Sequence, residues 1–135
     1  MKKFIILAFV LMTTVCLKAQ SGQASIDDYV YQMQSMLPVK YSDEMSLINV
    51  EFKDKSLVQT YEFEQPKYFQ LSKHQKSLKK SFLKQCIRNE ETFKLIMELI
   101  KMDENFVVVY KCRGAALSFP ITITPDNWLD AMEKY

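Results

Sequence analysis

Lys73, Lys76, Lys80 and Lys84 recur at intervals of three or four residues, a spacing that sets four ammonium groups along one face of a helix. The chemistry open to such a stripe is recognition of negative charge, since an ammonium on a flexible stem is a point donor to anionic oxygens. The stripe lies in the chain's main compositional anomaly: from Lys67 to Arg88 there are seven basic residues, His74, and no acidic residue. With Tyr68 and Phe69 just upstream, it could meet an acidic protein face, a lipopolysaccharide headgroup or a phospholipid surface. The plain structural alternative is a solvated face balanced by acids elsewhere in the fold.

Catalysis finds less to work with. His74 is the single histidine, so neither a His-based triad nor a multi-His metal site can be assembled. Paired carboxylates occur at Asp27-Asp28, Asp43-Glu44, Glu90-Glu91 and Asp103-Glu104, but each falls at an expected helix start or turn, where capping accounts for it. No Cys/His/Asp spacing fits a structural zinc or calcium loop. Two glycines, Gly22 and Gly114, are too few for a Gly-rich phosphate loop. No catalytic residue, metal or cofactor is therefore expected. Hydrolysis by carboxylates that converge only in space is the reading this leaves for an enzyme.

The chain opens with Lys2 and Lys3, an apolar run from Phe4 to Val15, and Leu17-Lys18-Ala19. This pattern predicts a signal peptide over residues 1–19, too short in its apolar part to span a bilayer, and a mature chain from Gln20. Lipidation at Cys16 is the lesser alternative, because β-branched Val15 stands where a lipobox wants a small residue. Without the leader the chain carries 15 basic against 16 acidic residues, so its formal charge is −1 and not the +2 of the full sequence. Basicity of the whole chain is thus no nucleic-acid or membrane signal, and no nucleic-acid partner is expected. Residues 20–135 fit one domain with one core. Its place is the periplasm or the cell exterior.

Hydrophobic periodicity sets out the elements. Ile26, Tyr29, Val30, Met33, Met36 and Leu37 make an amphipathic helix that Ser25 can cap and Pro38 stops. Alternation over Ile48–Phe52 and Leu57–Phe63, with Asp54-Lys55 between, predicts a β-hairpin. Helical periodicity returns from Ser72 with Leu78, Phe82, Cys86 and Ile87. Asn89 interrupts it as an N-cap, and a second stripe follows at Phe93, Ile96, Met97 and Ile100. Phe106–Tyr110 is a β-branched strand, and Leu117–Ile123 a fourth strand that Pro120 assigns to an edge or bulge. Thr124-Pro125 then caps a closing helix with Trp128, Leu129 and Met132. The order α-β-β-α-α-β-β-α predicts an α+β domain: a four-stranded antiparallel sheet of two hairpins with helices packed on one face.

Cys86 and Cys112 make an even pair, and in an oxidising compartment they are expected to bridge helix to sheet. Such a loop closure would add about 3.5 kcal/mol before strain. Two small buried thiols are the alternative.

The residues Leu37-Pro38, Tyr61, Cys86, Tyr110 and Ile123-Thr124-Pro125-Asp126, with the leader, resemble small exported bacterial proteins of uncharacterised function, of the kind found in Bacteroidota. The resemblance implies an exported, two-cysteine α+β domain and no chemistry. The expected function is a non-enzymatic interaction module that binds a macromolecular partner in the cell envelope, inhibitor- or immunity-like. The alternative is an anionic small molecule or lipid headgroup held by the Lys-rich helix. A concave site beside Lys73, Lys80 or Lys84 favours the alternative, and a flat stripe favours a protein or membrane surface.

Overall fold

The computed structural model describes residues 23–135, so the expected signal peptide and Cys16 lie outside the described residues. Ten elements follow in order: α1 (Gln23–Gln34), β1 (Val39–Ser42), β2 (Met45–Lys53), β3 (Ser56–Phe63), α2 (Gln65–Ser72), α3 (Gln75–Arg88), α4 (Glu90–Lys101), β4 (Asn105–Cys112), β5 (Ser118–Ile123) and α5 (Pro125–Lys134). The α+β class holds. The sheet, however, has five strands in the order β1-β2-β3-β4-β5, and it is mixed.

Two local signals place most of the strands. Asp54 and Lys55 both adopt positive φ, 51° and 58°, the geometry of a type I′ turn whose twist matches the strands it joins. It pairs β2 with β3 from Phe52↔Leu57 outward, and a bulge between Leu47 and Asn49 keeps Met45, Leu47 and Val50 on one face. β4 and β5 form the other hairpin, from Phe106↔Ile123 to Lys111↔Ser118.

The expected antiparallel join between the hairpins is corrected. β3 and β4 run parallel, Leu57 beside Phe106 and Tyr61 beside Tyr110. Parallel neighbours need a long crossover, and the three helices from Gln65 to Lys101 supply it. Two further elements went unanticipated. β1 is only four residues long and follows a cis Leu37-Pro38 bond. In α2, Pro66 stands in the first turn, where its missing N–H costs nothing. The helix expected from Ser72 starts at Gln75 as α3, after a break at Lys73-His74 that parts it from α2. Ser25, expected just before α1, falls inside its range, which begins at Gln23.

Register makes the core legible as rows across the sheet. Phe52, Leu57, Phe106 and Ile123 form one row; Val50, Gln59, Val108 and Ile121 the next; Leu47, Tyr61, Tyr110 and Phe119 a third. Except for half-buried Phe52, every one of these side chains is buried. On the opposite face Lys53, Lys111, Ser118, Pro120 and Thr122 are exposed, with Asn49, Glu51, Thr60 and Val109 half-buried. Trp128 of α5 stacks on Phe106 at 6.3 Å, and Phe82 of α3 meets Tyr110 edge-on at 6.4 Å, so both helices cover the core face. The inward stripe of α4 is Leu95, Ile96 and Leu99 with Thr92, rotated from the expected stripe so that Phe93, Met97 and Ile100 are only half-buried.

Candidate functional site

The N-terminal part of α3 and the whole of α5 flank a cleft of about 340 Å³. Lys76, Lys79, Lys80 and Leu83 form one wall; Asn127, Asp130, Ala131, Lys134 and Tyr135 form the other. Each wall is placed by ordinary packing. On α3, Leu78, Phe82 and Cys86 turn into the core, and the intervening lysines are left on the outer side. On α5, buried Trp128 and Ala131 fix the rotation that brings Asn127, Asp130 and Lys134 to the cleft.

The start of α5 is pinned by a capping box. Thr124 Oγ1 accepts from the Asn127 backbone N–H at 3.2 Å, and Asn127 Oδ1 accepts from the Thr124 N–H at 3.0 Å. Asn127 therefore holds the helix and lines the cleft together. The far end is steadied by Lys84, whose ammonium lies 5.6 Å from the centre of the Tyr135 ring.

Electrostatically the cleft is unbalanced. Four ammonium groups, Lys76, Lys79, Lys80 and Lys134, share it with a single side-chain carboxylate, Asp130. Ion pairs among the described residues occur at Lys40, Lys53, Lys101 and Arg113, and none of the four cleft lysines has a carboxylate within 4.0 Å. The first turn of α3 adds to the positive potential: it holds no acid, and His74 at its N-cap makes no side-chain cap.

Of the four lysines in the sequence-predicted stripe, Lys76 and Lys80 are brought to the cleft. Lys73 ends α2 instead, and Lys84 is engaged with Tyr135. Lys79 and Lys134 were missed. The first lies one helical step off the stripe, and the second belongs to a helix whose packing partner no local pattern reveals.

The expected Cys86–Cys112 bridge is not formed; both are buried free thiols. Cys86 packs toward Tyr61 and Tyr110, while Cys112 ends β4 two residues past Tyr110, with its Sγ 3.9 Å from the Arg113 carbonyl oxygen and toward Tyr68. Both sulfurs lie on the covered face, but they attend different neighbours along it. Burial pushes the Cys86 thiol well up, which removes it as a nucleophile at neutral pH. His74 is exposed on the α2–α3 break. One convergence of carboxyls did escape the sequence: burial raises Glu104, and the nearby Asp27 charge raises it further while Lys55 opposes this. Among the described residues no group of three His, Cys, Asp or Glu side chains could hold a metal ion, and no helix is long and apolar enough to cross a membrane.

The fold and the cleft define a small α+β domain with helices on one face of a five-stranded mixed sheet. No family model and no curated protein matches the chain. Its fold is similar to that of a Pseudomonas aeruginosa protein proposed to be secreted, with a TM-score of 0.66 over 78% of this chain and 90% of that one, at 5% identity.

Proposed function

We propose that this is an exported, non-enzymatic binding module whose ligand is anionic and sits in the cleft between α3 and α5. The observation that carries the reading is the convergence of Lys76, Lys79, Lys80 and Lys134 on one concave site without a carboxylate partner. Holding four like charges together costs the free protein self-repulsion, and an anion relieves it. Export is supported by the leader, and by a fold shared with a protein proposed to be secreted. A protein partner in the envelope becomes the second reading, because the basic helix borders a hollow and not a flat stripe.

Retention on phosphocellulose tests this. A mature chain of formal charge −1 has no reason to bind a cation exchanger except through a local site. At about 0.15 M salt the protein should be retained, and a Lys76→Ala/Lys80→Ala/Lys134→Ala variant should run through. Equal elution of the two would sink the proposal.

A further inference from the structure

A second concavity, of about 330 Å³, lies on the other side of the same lysines. Gln75, Lys76 and Lys79 line it with Pro120, Ile121 and Thr122 of the edge strand β5. Lys76 and Lys79 belong to both hollows, so the two are halves of one trough crossed by a ridge of two ammonium groups. A compact anion would occupy one half and leave the other empty.

Resting on the anionic reading of the cleft, we infer that the ligand is a linear chain of phosphates that crosses the Lys76–Lys79 ridge from Thr122 to Lys134. The donor set points to phosphate. Every cation in the trough is a lysine, a point charge that meets tetrahedral phosphate oxygens in any orientation; no arginine fork is present to clamp a planar carboxylate. Length follows from the two-sided lining, since Gln75 and Thr122 lie only on the β5 side and Lys80 and Lys134 only on the α5 side, and a single phosphate fills one side alone. Nucleic acid fits poorly, because the one aromatic ring in the lining, Tyr135, already carries Lys84 and no stacking platform remains for bases. The same chemistry would come from free polyphosphate or from phosphates strung on an envelope polymer.

Calorimetric titration with orthophosphate, tripolyphosphate and a longer polyphosphate, on the full mature chain, separates the possibilities. Affinity should climb about tenfold or more from orthophosphate to the long chain, and the salt slope should drop by about 1 for each lysine removed. Gln75→Glu, at an exposed position on α3 that lines the β5 half alone, puts an acid there. It should weaken the long chain about tenfold and leave orthophosphate unchanged, while Lys76→Ala/Lys79→Ala should abolish chain binding and Lys101→Ala should do nothing. Equal affinity for one phosphate and many, or no effect of Gln75→Glu, overturns the chain and leaves a compact anion in the α3–α5 cleft. Absence of any lysine-dependent phosphate binding overturns both readings. Binding to phosphatidylglycerol vesicles without binding to soluble polyphosphate, or equal binding of single-stranded DNA, also overturns the inference.

Discussion

The side-chain amide of Gln59 in β3 donates to the hydroxyl of Tyr29 in α1 at 3.3 Å, in a part of the core where neither residue reaches solvent. On its other side Gln59 Oε1 accepts from Tyr61 Oη at 3.4 Å. One amide in the middle row of the sheet thus ties the first helix to the central strand. Gln59→Leu keeps the volume and takes this amide away from the Tyr29 and Tyr61 hydroxyls, so it should cost about 1–3 kcal/mol. Tyr29→Phe removes only one partner of the amide and should cost less. Urea midpoints for the two variants would decide the order, and equal costs would mean that the amide organises nothing.

Both cysteines should behave as shielded thiols. On residues 20–135, alkylation under native conditions should add no mass; in denaturant without reductant it should add two labels. A bridged protein would add none in either state.

Glu104 makes stability depend on pH. Its side chain is 5% exposed, its Oε1 has no hydrogen-bond partner, and its pKa lies above the ordinary 4.5, first through burial and then through Asp27. The folded state therefore holds the proton more tightly than the unfolded one. Its contribution is complete below about the ordinary carboxylate value and is lost as pH rises through the folded pKa. Glu104→Gln should flatten the fall in Tm over that interval and leave the protein more stable than wild type at neutral pH. A Tm–pH profile parallel to wild type would show that Glu104 is already satisfied.

Lys55 pays for the type I′ turn with a left-handed backbone, φ 58°, in a residue that carries a Cβ. Lys55→Gly should stabilise the protein by about 0.5–1 kcal/mol, read from the urea midpoint. Lys55→Val should destabilise it, since a β-branched side chain is poorly accommodated at positive φ.

Thr124→Ala removes one half of the capping box and should cost about 1 kcal/mol. Because Asn127 closes that box from the cleft wall, the variant should also loosen phosphocellulose retention without any change in charge. Lost stability with unaltered retention would separate the cap from the site.

The α+β class, the β2–β3 turn, the β4–β5 hairpin and the caps at Asn89 and Thr124 were legible because each depends on a few consecutive residues. Asn89 accepts from the Thr92 N–H at 2.9 Å as its type suggests. The parallel β3–β4 junction was not legible in the same way. Alternation says which face a strand buries, but not its direction beside a distant strand, and only the length of helix between them pointed to a crossover. The rotated stripe of α4 shows a similar limit: with Phe93, Leu95, Ile96, Met97, Leu99 and Ile100 nearly all apolar, neighbours choose the inward side. The lysine cleft was half visible, as a stripe on α3. Its other wall depends on α5 docking some fifty residues later, which no local period records.

Pro120 has a further consequence at the rim of the sheet. It interrupts the donor row of one edge strand, and the opposite edge, β1, is four residues long with a register slip between Lys40 and Ser42. Neither border offers an uninterrupted ladder to an incoming strand, which guards the chain against edge-to-edge fibrillar stacking. Contacts at the rim of the sheet are therefore left to side chains and not to shared backbone.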